Sequence, residues 1–307
     1  MSRVFPLIER FCLLVLIAAA AGACNGPAGK GAAHGAAGDA CTDVTRIAAL
    51  PQSLREASGI TASRRYDGIL WSHNDSDNPY VITALDTLAN VIRSFRVDVD
   101  ALTEPGDWED IAIAQCGDSS CIYIADIGDN YATRSAVRVL RVNEPDPHSA
   151  SDSVLHPDVF AFRFPDGKHD AEALFVLPGE RLFVITKGRN APVALFRYPG
   201  TLRNDTVTLE HVRDLSSGIA QFPEMVTGAS VSPDDRVVAV RTYGFLRLYS
   251  PRRDGDLAPR DSAPFSLSSA HEAQGEGIAM TTRNRVFLVG EKGFDTVPPA
   301  LVRLTCH

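Results

Sequence analysis

Short apolar runs, each led in by a turn, recur along this chain, and no stretch competes with them as an amphipathic helix. Five runs carry the pattern: Gly68-Ile69-Leu70-Trp71, Cys121-Ile122-Tyr123-Ile124, Arg181-Leu182-Phe183-Val184-Ile185, Arg236-Val237-Val238-Ala239-Val240 and Arg285-Val286-Phe287-Leu288-Val289. The turns before them hold Asp67-Gly68, Gly117-Asp118, Pro178-Gly179, Pro233-Asp234-Asp235 and Arg283-Asn284, which is hairpin chemistry. A further strand is predicted after each run, at Tyr80–Leu85, Val137–Val142, Val193–Tyr198, Phe245–Tyr249 and Ala300–Leu304. Alternation in Val137-Arg138-Val139-Leu140-Arg141-Val142 predicts a strand with one solvated face. Outer strands are predicted at Val91–Val97, Val159–Phe164, Val207–Val212 and Phe265–Leu267.

A short acidic phrase opens each unit. It reads Glu56-Ala57-Ser58-Gly59-Ile60, Trp108-Glu109-Asp110-Ile111, Asp170-Ala171-Glu172-Ala173-Leu174 and Gly275-Glu276-Gly277-Ile278, with a weakened copy at Val226-Thr227-Gly228-Ala229-Ser230. Positions 56, 109, 172, 227 and 276 recur about every 50–60 residues, the period of propellers and arrays. Five such units of four strands predict an all-β fold, a single five-bladed β-propeller, and the spacing leaves no room for a sixth blade. The last unit lacks an outer strand. Thr45–Leu50 is predicted to supply it and close the ring.

The cysteines bear on that closure. Of six, Cys12 falls in a targeting segment and Cys24 has a separate use, leaving Cys41, Cys116, Cys121 and Cys306. An antiparallel pairing of Thr45–Leu50 with Ala300–Leu304 sets Cys41 beside Cys306, and Cys116 and Cys121 flank one hairpin. Both pairs are predicted as disulfides. A loop closed over nearly the whole domain contributes about 5 kcal/mol in the chain-entropy model.

Arg3 and Arg10 precede an apolar run, Phe11–Ala21, which is too short for a comfortable membrane span and ends in Ala21-Gly22-Ala23-Cys24. That ending resembles a bacterial lipobox. The resemblance implies a signal peptide over 1–23 and lipidation of Cys24 by palmitate-type chains. Residues 25–40 are Gly/Ala-rich and read as a tether reaching at most about 50 Å, so residues 24–40 link the lipid to a propeller over 41–307. The expected location is the bacterial envelope. Asn25 rather than Asp after the cysteine favours the outer membrane in a diderm cell, with the membrane contacted through the lipid alone. The domain is expected to be monomeric.

Removing residues 1–23 takes away Arg3, Arg10 and Glu9, so the remainder is one unit more negative than the −8 of the whole chain. That acidity argues against nucleic acid as a partner and suits cations. It suits a small anionic substrate only where a cation or local Lys/Arg mediates.

In a propeller blade the start of the first strand and the end of the second share one face. The acidic phrases occupy those starts. His73-Asn74-Asp75, Asp126-Ile127-Gly128-Asp129-Asn130, Lys187, Arg241 and Glu291-Lys292 occupy the ends, about 14–17 residues later. Glu56, Glu109, Glu172, Glu276, Asp126 and Asp129, with Asn74 and Asn130, offer the hard oxygen ligands that Ca²⁺ takes, while the His and Cys clusters of a zinc or copper site are absent from the sequence. Lys187 and Arg241 are candidates to clamp a phosphate or carboxylate, assisted by Asn74 and Asn130, and His73, His169 or Asp170 to act as general base. Asp75-Ser76-Asp77-Asn78 and Asp126–Asn130 also fit Asx-rich turns, and Trp71 and Trp108 fit packing roles. No nucleophile elbow, His-Glu-x-x-His, Walker loop or dinucleotide fingerprint is present in the sequence.

The combination of Ser72-His73-Asn74-Asp75, Asp107-Trp108-Glu109-Asp110-Ile111, Ala125-Asp126-Ile127-Gly128-Asp129-Asn130, His169-Asp170-Ala171-Glu172-Ala173-Leu174 and Gln274-Gly275-Glu276-Gly277 resembles a family of bacterial secreted or lipoprotein β-propellers without an assigned activity, over residues 52–305. More distantly, the Glu-Gly and Glu-Ala phrases are similar to those of calcium-binding propellers: alkaline phytase and phytase-like esterases, the gluconolactonase and paraoxonase type, and calcium-activated nucleotidases. The distant resemblance implies axial calcium held by carboxylates from several blades. Thr227 departs from that pattern, which implies a cation with a position open to water or substrate.

Two functions are therefore expected to compete. One is a calcium-dependent hydrolase of phosphoesters, or of lactones and esters. In it Glu56, Glu109, Glu172, Glu276 and Asp126 hold the metal, Lys187 and Arg241 bind the anion, and His73 or Asp170 moves a proton. The other is a non-enzymatic binding or assembly propeller for a protein partner, its channel neutralised by ion pairs or filled by a structural metal.

Overall fold

The first strand of each predicted unit is apolar on both faces, so it is stable only with protein on both sides. In the third unit Leu174 and Val176 pack towards the second unit, while Ala173 and Phe175 pack towards the fourth. A computed structural model describes residues 41–306 apart from Asp77, Ala101, 103–105, 151–152 and 294–296. The expected signal peptide, Cys24 and the tether lie outside the described residues.

The chain is a five-bladed β-propeller. Blade one runs Ala57–Ala62, Ile69–Asn74, Val81–Asp86 and Val91–Val97 from the axis outwards. Blade two runs Trp108–Cys116, Ser119–Asp126, Val137–Asn143 and Asp158–Arg163. Blade three runs Ala171–Leu177, Arg181–Thr186, Pro192–Arg197 and Glu210–Ile219. Blade four runs Val226–Val231, Val238–Thr242, Phe245–Pro251 and Leu257–Pro259. Blade five takes Gln274–Met280, Arg285–Glu291 and Ala300–Cys306, and its outer strand is the N-terminal Cys41–Ala49. That strand pairs antiparallel with Cys41 opposite Cys306, and the two are disulfide-bonded, as are Cys116 and Cys121. Both predicted bridges are present.

The core is divided into five apolar layers, one between each pair of neighbouring blades. Full burial of a Leu or Phe contributes roughly 1.5–3 kcal/mol, and each layer holds several such side chains. Trp71 and Trp108 are both buried in the layer between blades one and two, so they are packing residues.

Three sequence expectations change. Val137–Asn143 has no solvated face: Val139 packs towards blade three and Leu140 towards blade one, and its arginines reach acids instead. The segment predicted as Val207–Val212 divides. Val207–Thr208 pairs with the outer edge of blade two, and Glu210–Ile219 forms the fourth strand of blade three. In blade four the outer strand is broken: Leu257–Pro259 and Phe265–Ser266 each pair with part of Phe245–Pro251.

Candidate functional site

Pairing between the first and second strands slips by one residue at the acidic phrase in all five blades. The extra residue is Ser58 in blade one, Glu109 in blade two, Glu172 in blade three and Thr227 in blade four, and Glu276 lies in the slip of blade five. A bulge re-aims a side chain out of the ladder. Here it forms an inner row of Ser58, Glu109, Glu172, Thr227 and Glu276. Two residues upstream lies a second row of Glu56, Asp107, Asp170, Met225 and Gln274. Glu56 therefore belongs to the second row, and Ser58 takes its expected place.

Two overlapping triads form where these rows meet. One carboxylate oxygen from each of Asp75, Asp107 and Glu109 lies within 4.8 Å of the others, and the same holds for Glu109, Asp170 and Glu172. Asp170 Oδ1 accepts the Asp129 N–H at 3.0 Å, while its Oδ2 is buried without a hydrogen-bond partner. Gly128 makes the crowding possible: a Cβ there would lie 2.0 Å from Glu109 Oε1 and 2.5 Å from Asp107 Oδ2. Glu276 is buried beside them, with Oε1 accepting from Gln274 Nε2 at 2.9 Å and Oε2 unpartnered.

Lys187 is the buried cation of this mouth. Its Nζ donates to Glu172 Oε1 at 2.5 Å and lies 5.8 Å from the centre of the Tyr243 ring. Burial alone would lower its pKa, but Glu172, Tyr243 and Glu109 outweigh burial and raise it.

Five of the neighbouring carboxyls shift upwards. Burial, then the charges of Glu172, Asp75 and Asp107, push Glu109 well above its ordinary value. Burial, then Glu172 and Glu291, do the same for Glu276. Burial raises Glu172 to about 7 against the pull of Lys187, raises Asp75 to about 6, and with Asp75 and Glu172 raises Glu291 to about 8. The mouth thus gathers more buried acid than the protein neutralises. A hard divalent cation is the kind of group that would replace protons held there.

The other expected site residues have different work. Asp126 is 0% exposed, is held by Arg134 at 2.8 Å and Arg138 at 2.5 Å in the wall of blade two, and accepts the Asp107 N–H at 2.9 Å, but it is not a member of either triad. The Asp129 carboxylate accepts from the backbone of Thr133 and Arg134 and fastens its own turn. Asn74 accepts from the Glu56 N–H and donates to Ser53 O, bracing the start of blade one. Asn130 Oδ1 accepts from Arg189 at 2.6 Å. Glu56 Oε2 accepts from Asn78 at 2.7 Å.

His73 and Arg241 sit one level below the mouth. His73 pairs with Gly59 and Arg241 with Gly228, whereas Lys187 lies one residue past the last pair of its two strands. His73 is enclosed between blades one and two, its Nδ1–H donating to Asn74 O at 2.8 Å, and burial lowers its pKa to about 4. Arg241 is 0% exposed and donates to Gly277 O at 2.9 Å, Val289 O at 3.2 Å and Glu272 at 2.9 Å, tying blade four to blade five. His169 bonds Asp166 at 2.9 Å and packs on Phe164 and Phe196. A slip of one residue along a strand sends a side chain to the other face, and the uneven spacing along the sequence hid these slips.

Below the bulges, Asp110 closes the axis. It takes the position held by glycine or alanine in the other blades, and its Oδ2 accepts the N–H of Leu174 at 2.9 Å and of Ala229 at 3.0 Å. One carboxyl thereby joins blades two, three and four.

No family model matches the sequence, and no curated protein matches it. Solved structures share the fold. The PQQ-bound aldose sugar dehydrogenase of Streptomyces coelicolor superposes with a TM-score of 0.52 at 13% identity, covering 88% of this chain and 100% of that one. A glucose dehydrogenase superposes with a TM-score of 0.50 at 8% identity, covering 87% of this chain and 100% of that one. Regucalcin, a calcium-binding protein of Agrobacterium tumefaciens, reaches 0.46 at 11% identity, over 82% of this chain and 77% of that one. The two dehydrogenase superpositions agree with the fold alone and leave function to the site.

Proposed function

We propose that this chain is a divalent-cation-dependent hydrolase working at the acidic mouth, with calcium as the cation and phosphoesters ahead of lactones and carboxyl esters as substrates. The observation that carries the reading is the pair of triads sharing Glu109, with Asp170 Oδ2 buried among them without a hydrogen-bond partner. Every ligand atom there is an oxygen, which suits calcium and not zinc or copper. The opening that Gly128 leaves lets Glu109 and Asp107 approach one centre.

Bound calcium would polarise a phosphoryl or carbonyl oxygen and make a nearby water more acidic. Glu172 would share in holding the cation, and Lys187, whose Nζ now donates to it, would then be available to hold an anionic oxygen. Arg189, whose Nε lies 3.8 Å from Asp170 Oδ2, takes the second anion-binding role expected of Arg241. The free oxygen of Asp170 can ligate or accept a proton from water.

A thermal melt in chelator followed by a calcium titration tests the site. A saturable rise of several degrees is expected, together with calcium-dependent turnover of p-nitrophenyl phosphate. No shift with calcium, magnesium or manganese would overturn the reading.

One observation favours a second reading, a non-enzymatic binding propeller: the buried Lys187–Glu172 ion pair already neutralises part of the mouth. Lys187→Met separates the two. In saturating calcium a hydrolase loses turnover and keeps its melting temperature, because the cation offsets the charge of Glu172, whereas a scaffold held by that ion pair loses melting temperature with or without calcium.

The envelope anchor is proposed on sequence alone. Cys24→Ser should move the protein from the membrane to the soluble fraction, and an unchanged distribution would remove the anchor.

A further inference from the structure

The acidic mouth has an aromatic flank. Among the described residues the exposed large hydrophobic side chains are Leu88, Val91, Tyr131, Ile219 and Phe222. Exposed apolar residues scattered singly need no explanation. Three of these five, however, border one mouth. Tyr131 follows Asn130, which Arg189 holds. Ile219 ends the outer strand of blade three, and Phe222 lies on the connection from blade three to blade four.

That connection is fastened at both ends. The Ala220 N–H donates to Gly188 O at 2.8 Å, Val226 N–H to Lys187 O at 3.2 Å, Tyr243 N–H to Met225 O at 3.2 Å and Gly244 N–H to Pro223 O at 3.0 Å. A Cβ on Gly244 would lie 2.8 Å from Pro223 Cβ, so glycine lets the loop seat against blade four. Phe222 is thus 70% exposed on a braced loop. Its ring centre lies 5.5 Å from that of Tyr243, tilted by 38°, and the Tyr243 centre lies 5.8 Å from Lys187 Nζ. From the carboxylates outwards the order is ammonium, half-buried ring, exposed ring.

We infer that this mouth takes an anion joined to a planar aromatic ring, the ring lying against Phe222 and Tyr243 while the anionic group reaches Lys187. The inference rests on the hydrolase reading for the position of the anion and adds the class of group attached to it. An aromatic ring is the occupant that matches the surface. Two rings at this spacing leave room for offset or edge contact with a third. An aliphatic chain would gain burial without that contact, and a bare phosphate would leave Phe222 in water.

The test uses phenylphosphonate and methylphosphonate, which share the anion and resist hydrolysis, titrated calorimetrically into the full chain with and without saturating calcium. Wild type is expected to bind the phenyl compound about tenfold more tightly. Phe222→Ala should bring the two within about twofold, and Phe222→Tyr should keep the preference. Equal binding of the two by wild type, binding of neither, or a preference that survives Phe222→Ala would overturn the inference. A preference that persists in chelator, in a protein without a calcium-dependent melt or turnover, supports the aromatic flank and removes the hydrolase. A normal calcium response without the preference removes the flank alone.

Discussion

Two sets of buried acids lie within blades two and three, and their surroundings differ. Asp126 in the wall of blade two has two arginines on its carboxylate and accepts the Asp107 N–H at 2.9 Å. Glu109, Asp170 and Glu172 at the mouth share one lysine, and Asp170 Oδ2 has no hydrogen-bond partner. Burial is complete or nearly so in both places. Burying an acid is costly unless something offsets its charge, and the wall supplies that counter-charge from the protein itself. The mouth leaves it to protons or to a bound cation. An acidic residue in a propeller channel therefore points to a cation only after its arginines have been looked for.

The largest effect that follows is on the wall. Asp126→Ala takes the buried carboxylate away from two mostly buried arginines, Arg134 and Arg138, and should destabilise the fold by about 3–5 kcal/mol in urea denaturation. The calcium-dependent rise in melting temperature should survive in that variant. If it vanished, Asp126 would belong with the mouth and the comparison would fail.

Next comes the mouth itself. With calcium at about a hundred times its Kd, wild type should gain about 2.7 kcal/mol. Glu109→Gln should lose that gain, because Glu109 belongs to both triads. In chelator the same variant should be more stable than wild type, since it removes a carboxyl crowded by Glu172, Asp75 and Asp107. A drop in chelator would show that Glu109 is structural.

The mouth also has a pH signature. Burial, with neighbouring acids, raises Glu291 to about 8, and burial raises Glu172 to about 7 against Lys187, both from an ordinary value of 4.5. The folded chain therefore keeps protons that the unfolded chain releases. This contribution is full below about pH 4.5 and is lost as pH rises through 7 to 8. In chelator, the unfolding free energy from urea denaturation should fall from pH 5 to pH 8 by an amount on the order of 2 kcal/mol. Saturating calcium should flatten the slope. A flat profile in chelator would mean that these acids are neutralised as Asp126 is.

The fold was legible because each blade repeats its own punctuation: an acidic phrase, a hairpin turn and an apolar run. Cys41 opposite Cys306 was legible because closure needs one strand from the far end of the chain. Glu109, Glu172 and Asp170 were legible from the phrases. What was hidden is register. The phrases align Glu56 with Glu109, yet the bulge puts Ser58 there and leaves Glu56 alongside Asp107 and Asp170. His73 and Arg241 fell to the layers between blades for the same reason. Asp75 read as a turn residue, and its Oδ1 does accept the Ser76 N–H, but its carboxylate also completes the first triad. The repeated acid two residues ahead of Glu109 and Glu172 was the available sign of the second row.

The smallest effect is the one that sharpens the comparison most. Arg189 is the nearest thing to a counter-ion that Asp170 has, with Nε 3.8 Å from Oδ2 and a half-exposed side chain whose other contact is Asn130. At that distance and exposure an ion pair contributes about 0–1 kcal/mol, against several for the arginines on Asp126. Arg189→Ala should therefore change stability by less than about 0.5 kcal/mol. It should tighten calcium binding about twofold, by removing a positive charge beside the ligands, and weaken binding of phosphonate anions. A loss of several kcal/mol would make Arg189 to Asp170 what Arg138 is to Asp126. The mouth would then be a second neutralised wall, and the case for a cation would fall with it.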